Sequence, residues 1–423
     1  MEKDIDNIFK SRIDNNLLNT SYPIYKENWK AFKSEQPLPF NEEDICFYFH
    51  IPFCQSLCKF CEYTRYKNND EYAQKRYVDT ILNDFYIFLK NHPFIKVHGL
   101  DIGGGTPTAL TDENFIFLLT EIEKNLSLCT LSDGFEPSVE ATFSTLNQPK
   151  IKKVVQSGIK RISLGIQSAN DSFMRENHRE NGTLNKMLRI FDMCRNEGVE
   201  KLNIDMMYGF RNQEEKELEK TLQTIEILNP EQITIYELRT NMISHQSKNS
   251  EGLFEQYDFL YNNIVTMGYN STYGQNTFSK FNDSGVSSYL RHRMHDNMSY
   301  KGFGISAQSK SNRGVSYNIG KGGQLLDDCL SKSTFYEQDV YLLPAEELLA
   351  KYMAISGYAG SFNSDIMSKI LDRDVFDYFK NEFNYLFEKK YIDRRRNILQ
   401  ITPKGFIHYG IILSLFYPEN CLL

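Results

Sequence analysis

Tyr48-Phe49-His50-Ile51-Pro52-Phe53-Cys54-Gln55-Ser56-Leu57-Cys58-Lys59-Phe60-Cys61 begins as a strand and ends as a ligand loop. The aromatic and β-branched residues suit a pleated strand, and Pro52, lacking an N–H, ends its ladder. Cys54, Cys58 and Cys61 then follow in C-x3-C-x2-C spacing, three thiols in eight residues. From one loop they can converge on a single inorganic centre. Zinc sites usually draw paired C-x2-C or Cys/His units from two segments, and no second unit occurs in this sequence. Iron–sulfur cubes take thiolates, commonly four. Three local cysteines would leave one iron open to an outside ligand, and an open metal position implies chemistry. On spacing alone, a structural zinc stays the alternative.

The other five cysteines, at 46, 129, 194, 329 and 421, are scattered. They read as small buried side chains. Eight cysteines in 423 residues make no disulfide scaffold, which points to a reducing compartment. Thirty Phe and 26 Tyr provide ample core, so disorder is excluded. The net charge of −7 shows no basic nucleic-acid footprint over the whole chain. No apolar run reaches the roughly 18 residues of a membrane span; the longest candidate is Ile411 to Tyr417. The charged start MEKDIDNIFK lacks a signal-peptide core. A cytoplasmic protein with no nucleic-acid partner is expected.

Outward from the cysteine loop, short apolar stretches alternate with segments of helical period. Strands are expected at Ile45–His50, Val97–Ile102, Gly134–Thr142, Arg161–Ile166, Leu202–Met207 and Gln232–Glu237. Helices are expected near 70–90, 112–126, 147–157, 183–197 and 213–228. Repeated βα units read as an α/β fold with a parallel sheet, curved into a partial barrel. Sites in such folds sit at the carboxyl ends of the strands, where the cysteine loop also falls. Residues 268–323, rich in Gly, Ser, Asn and Tyr, read as loops and irregular strands. From Ala345 a helical pattern returns, with helices near 363–390, a hairpin around Asp393–Thr402 and a last helix. The expected organisation is an arm (1–44), a partial barrel (45–245), a substrate-facing extension (246–344) and a helical or winged-helix-like domain (345–423). Arg394–Arg396 reads as a solvated turn.

A second motif, Asp101-Ile102-Gly103-Gly104-Gly105-Thr106-Pro107-Thr108, follows the second strand. Consecutive glycines let backbone approach a ligand closely, although a mobile turn would use them equally well. The spacing matches neither the G-x-G-x-x-G fingerprint nor a P-loop.

Together the two motifs resemble the radical S-adenosylmethionine (SAM) superfamily. The flanks YFHIPFC, GGGTPT, ISLGIQS with Asn177-His178-Arg179, and LNIDMMYGF resemble its oxygen-independent coproporphyrinogen III oxidase-like branch. Thr20-Ser21-Tyr22-Pro23 is similar to the N-terminal arm of the true oxidases. The resemblance implies a (βα)6 TIM-type partial barrel and a [4Fe–4S] cluster on Cys54, Cys58 and Cys61. It implies that Gly103, Gly104, Gly105 and Thr106 present backbone groups to the methionyl part of SAM. Glu140, Gln167 and Arg179 would be polar SAM contacts, and Asp205 would meet the ribose. Tyr48, with Gly304 and Ile305 in the segment Gly302–Ser306, occupies positions matching a second SAM; Tyr48 and Glu140 would stand beside the reaction. A flavodoxin- or ferredoxin-type electron donor and an anaerobic setting are implied as well.

The substrate is where the pattern departs. True coproporphyrinogen oxidases of this branch carry a further cysteine two residues after the third; here that position is Tyr63. This counts against propionate decarboxylation and favours methyl or methylene transfer to a tetrapyrrole or another large unsaturated substrate. Coproporphyrinogen decarboxylation and non-catalytic haem carriage are the alternatives. Arg291-His292-Arg293-Met294-His295 could hold substrate carboxylates or ligate haem through His292 or His295, although an exposed polar loop would read the same way. His50 is expected to position the cysteine loop.

Overall fold

The computed structural model describes residues 4–12, 22–23, 26–67, 70–238 and 250–418; Cys421 and Thr20-Ser21 lie outside them. Six parallel strands form its centre: β1 (Asp44–Ile51), β2 (Lys96–Gly104), β3 (Ser138–Ala141), β4 (Arg161–Gln167), β5 (Lys201–Tyr208) and β6 (Gln232–Glu237). Between them run α2 (Glu71–Asn91), α3 (Asp112–Leu126), α4 (Gln148–Gln156), α5 (Leu184–Glu197) and α6 (Glu215–Leu228), while α1 (Ile5–Ser11) precedes the sheet. Asp70, Thr111, Asn147 and Thr183 accept hydrogen bonds from first-turn amides. These caps satisfy donors that the helices leave open. Gly198, in the left-handed conformation, ends α5.

Period-two alternation sorts each strand into two faces. On β1, Ile45, Phe47, Phe49 and Ile51 are wholly buried with the helices. At roughly 2 kcal/mol per buried side chain, such positions hold the layers together. The opposite, inner face carries polar groups, including Asp101, Ser138, Glu140, Arg161, Ser163, Asn203, Asp205 and Tyr236. Barrel interiors of this type are usually filled by branched apolar residues. Here Tyr48, Asp101, Glu140 and Asp205 keep some solvent accessibility although protein surrounds them, so the inner face lines a polar cavity.

β3 is shorter than the expected 134–142. Phe135 N–H turns back to Ser132 O (3.0 Å), and Pro137 has no amide for the ladder. The stretch beyond 245 differs more. It contains α7 (Ser250–Thr266), β7 (Thr277–Ser279), α8 (Ser288–His295), β8 (Tyr300–Phe303), β9 (Gln308–Ser311), β10 (Gly314–Asn318) and β11 (Glu337–Leu342). β8 adds parallel to β1, with Gly302 opposite Tyr48. β9, β10 and β11 continue antiparallel, ending at a short strand Lys33–Ser34. β7 adds antiparallel to β6 at the other edge. Thus the stretch 268–323, expected as loops and irregular strands, contributes four short strands to one continuous sheet, together with the helix α8.

α8 corrects a second expectation. Arg291–His295 is part of a helix laid on the inner face, not an exposed loop. Gly99 makes this possible: a Cβ there would come within 2.3 Å of the Tyr289 N.

The C-terminal part has α9 (Ala345–Ser356), α10 (Ser364–Leu371), α11 (Lys380–Glu388) and the antiparallel sheet β12 (Ser361–Asn363), β13 (Ile392–Arg395) and β14 (Ile398–Ile401). The N-terminal arm packs onto it. Phe9 stacks on Tyr391 (5.3 Å), and Arg12 Nη1 donates to Ser414 O (2.8 Å). No helix of the described residues is long and apolar enough to cross a membrane.

Candidate active site

The cysteine loop leaves β1 and is fastened at several points. Arg65 Nη2 donates to Cys58 O (2.6 Å) and its Nη1 to Tyr63 O (3.1 Å). His50 Nε2 donates to Thr64 O (2.9 Å). Burial holds His50 down to about 4, so its ring is neutral and serves as the expected brace. Lys59 N donates to Asn177 O (3.2 Å), and Arg179 Nη1 lies 3.7 Å from Cys58 Sγ. Cys54 and Cys58 are buried, and Cys61 is partly so. Burial raises the Cys54 thiol to about 11, against the field of Arg65. The three thiols stand on one loop and feel one another's charge, although among the described residues no three His, Cys, Asp or Glu side chains are drawn together as ligands of one ion.

Each glycine of the second motif has its own reason. A Cβ on Gly103 would lie 2.7 Å from the Glu140 carboxyl, and one on Gly105 would lie 2.9 Å from Cys54 Sγ. Gly104 has φ +116°, a conformation that suits glycine. The amides of this turn are taken within the protein. Gly104 N donates to Glu140 Oε2 (3.1 Å), Gly105 N to Ile51 O (2.8 Å) and Thr106 N to Phe53 O (2.8 Å). The amides of Gly104, Gly105 and Thr106 are therefore already spent and not left for a ligand.

Glu140, from β3, is accessible to solvent in the cavity yet surrounded by protein. Burial, then the field of Asp205, pushes it up to about 8 despite the Gly104 amide. Asp205 is oriented by Ser163 Oγ (2.6 Å) and Asn203 Nδ2 (2.7 Å). Burial raises its pKa, with those hydrogen bonds and Arg161 opposing. Gln167, at the end of β4, has φ +61°, and its buried Oε1 lacks a partner among the described residues. Such strain with an orphaned acceptor marks functional sites. Arg179 closes this side, bonding Gly165 O and Asn181 Oδ1 as well as meeting Cys58.

Tyr48 lies on the inner face of β1, stacked on Tyr289 (5.7 Å, 23°). Gly304 and Ile305 do not join this group. Ile305 is wholly buried in the core, its N–H takes the Tyr77 hydroxyl as acceptor (3.0 Å), and a Cβ on Gly304 would collide with that hydroxyl. Both residues serve packing here. His292 is engaged at both ring nitrogens, by Asp296 (2.6 Å) and Arg291 Nη2 (3.1 Å), and so is not poised as a haem ligand.

Sequence reasoning missed Arg65, Ser163, Asn203 and Asp101. Alternation along β4 and β5 places Ser163 and Asn203 beside Asp205 and could have found them. Asp101 shares the inner face with Tyr48, its register partner. Burial raises it to about 7, and Ser287 Oγ donates to its Oδ2 (2.7 Å).

A radical SAM superfamily model matches residues 48–225, the span holding the loop, the glycine turn, Glu140, Gln167, Arg179 and Asp205. Residues 48–225 thus carry a radical SAM domain, and the similarities that follow support its HemN-like branch. The chain is 26% identical over 390 residues to a Bacillus subtilis protein named heme chaperone HemW, covering 88% of this chain and 99% of that one. It is 31% identical over 193 residues to an oxygen-independent coproporphyrinogen III oxidase of Cereibacter sphaeroides, covering 45% of this chain and 42% of that protein. The structure of Escherichia coli coproporphyrinogen III oxidase (HemN) shares the fold, with TM-score 0.73 at 19% identity, covering 89% and 91% of the two chains.

A radical SAM domain implies a [4Fe–4S] cluster and SAM. The residues present fit both groups. Three thiols stand on one braced loop, Gly105 lets the glycine turn pack directly against Cys54, and an orphaned acceptor on Gln167 lies beside Arg179.

Proposed function

We propose that the chain is a radical SAM enzyme acting on a tetrapyrrole, or another large unsaturated substrate, by methyl or methylene transfer. The observation that carries this reading is the gathering of the cysteine loop, Glu140, Gln167, Arg179 and Asp205 around one polar cavity. When bound, the cluster supplies the electron that cleaves SAM reductively to methionine and a hydrogen-abstracting 5′-deoxyadenosyl radical. Cys54, Cys58 and Cys61 would hold it, with Arg65 and Arg179 offsetting thiolate charge.

Glu140, with the carbonyl oxygens of the glycine turn, accepts the SAM ammonium. Arg179 uses the N–H groups that its three present partners leave over to pair with the SAM carboxylate. Asp205 has a lone pair on each oxygen beyond those used by Ser163 and Asn203, enough for two ribose hydroxyls. Tyr48, Tyr63 and Tyr236 wall the reacting space with aromatic rings, which favours a flat substrate over water. Tyr63, in place of a further cysteine, weighs against decarboxylation.

Iron and sulfide reconstitution under anaerobic conditions, followed by dithionite and SAM, is expected to release 5′-deoxyadenosine or a methylthioadenosine product. A cluster-loaded protein yielding no SAM-derived product would overturn the enzyme reading. The Bacillus relative's name supports a second reading, a haem carrier; a Soret band on titration without SAM turnover would favour it.

A further inference from the structure

Two arginines reach the inner face away from the cysteine loop, and they differ. Arg161 is tied down: Nε donates to Gln232 Oε1 (2.7 Å) and Nη1 to Ser138 Oγ (3.1 Å). Arg293, on α8, is held chiefly by its faces. Its guanidinium lies 4.9 Å from the Tyr300 ring centroid and 5.9 Å from that of Tyr289. Nη1 reaches the Tyr289 hydroxyl at a long 3.4 Å, and the buried Nε has no partner among the described residues.

Among the described residues, no carboxylate stands within ion-pair distance of Arg293. Asp101, whose charge Arg293 feels, bonds Ser287 instead and keeps Oδ1 unpaired. Lys310, buried nearby with its Nζ on Asn297 O (3.2 Å), adds a second cation. Arg293 is partly accessible although protein surrounds it, as befits a group lining an internal cavity. Tyr63, on the cysteine loop, lies within its electrostatic reach.

A guanidinium fixed by stacking, with its edge open, presents a planar fork that matches both oxygens of a carboxylate. Leaving such a cation enclosed without an anion is costly, so a ligand that supplies one gains a strong contact. Resting on the tetrapyrrole reading above, we infer that Arg293 is a substrate-positioning residue that binds a peripheral carboxylate of the macrocycle. Tyr289 and Tyr300 fix the plane of the fork, and Tyr48, stacked on Tyr289, extends the same aromatic wall toward the SAM site. A SAM carboxylate offers the same chemistry, and the test separates the two sources.

Haem and haem dimethyl ester are titrated against the reconstituted wild type, Arg293→Met and Arg293→Lys, following the Soret band. The wild type is expected to prefer the diacid by roughly tenfold to a hundredfold, the range of a charged hydrogen-bonded contact. Arg293→Met should bind acid and ester alike, and Arg293→Lys should recover part of the preference. Iron and sulfide content matching the wild type checks the fold, and Arg293→Lys stands in if Arg293→Met loses its cluster. Equal affinities in the wild type, an undiminished preference in Arg293→Met, or binding of neither ring overturns the assignment. Equilibrium dialysis of SAM decides the source: loss of a bound SAM in Arg293→Met with haem preference intact also overturns it. A wild type that binds both rings equally yet makes 5′-deoxyadenosine removes the anchor and leaves the enzyme reading standing.

Discussion

The Gly104 amide donates to Oε2 of Glu140 across 3.1 Å, joining the carboxyl ends of β2 and β3. The neighbouring Gly103 leaves that carboxylate its place, since a Cβ would come within 2.7 Å of it. The obstructed atoms end a flexible side chain, so Gly103→Ala should fold while displacing Glu140. SAM affinity is expected to fall about tenfold, or about 1.4 kcal/mol, by equilibrium dialysis. An unchanged affinity would detach Glu140 from SAM binding.

Glu140 also sets a pH dependence. Its folded pKa is raised, to about 8, mainly by burial. A raised carboxyl stabilises the ligand-free fold fully below its unfolded value of about 4.3 and loses that contribution as pH rises through the folded value. SAM binding has the opposite sign, because the ammonium requires the carboxylate. Affinity should therefore climb between pH 6 and 8, by up to about tenfold per unit, and Glu140→Gln should flatten the profile. A wild-type isotherm that is flat over this range counts against the assignment.

Gln167 keeps a left-handed backbone with an orphaned acceptor. Glycine adopts that conformation freely, although it costs chain entropy. Gln167→Gly should leave folding stability within about 1 kcal/mol while weakening SAM binding several-fold. Thermal melting and SAM dialysis on one preparation read the two effects separately; parallel loss of both would make Gln167 a structural residue.

The N-terminal arm is fastened by a buried carboxylate. Tyr22 Oη and Trp29 Nε1 donate to Glu347 Oε2 at 2.9 and 2.8 Å, and Lys351 Nζ donates to Tyr22 O at 2.9 Å. Glu347→Ala leaves two buried donors without this acceptor, at a cost of about 3 kcal/mol. Denaturant unfolding should show that loss, whereas cluster content should match the wild type. A loss below about 1 kcal/mol would mean that the arm is held by its aromatic packing instead.

The residues of the chain alone determined the parallel core, because strand alternation and helix caps are local chemistry. Ile45, Phe47, Phe49 and Ile51 read as a buried face before any packing is known, and Asp70 or Thr111 mark helix starts by their own side chains. The cysteine loop was legible for the same reason: its three cysteines lie within eight residues. α8 was not, since SYLRHRMH has little apolar period and is held by a distant glycine, Gly99, that admits its backbone. Nor could spacing reveal that the glycine-turn amides are taken by Glu140, Ile51 and Phe53, or that Arg293 has no ion-pair partner among the described residues while Arg161 is tied down. Hydrogen-bond partnership and burial depend on residues far apart in the chain. Local chemistry thus decides which groups exist and on which strand, whereas tertiary packing decides which of them remain open to a ligand.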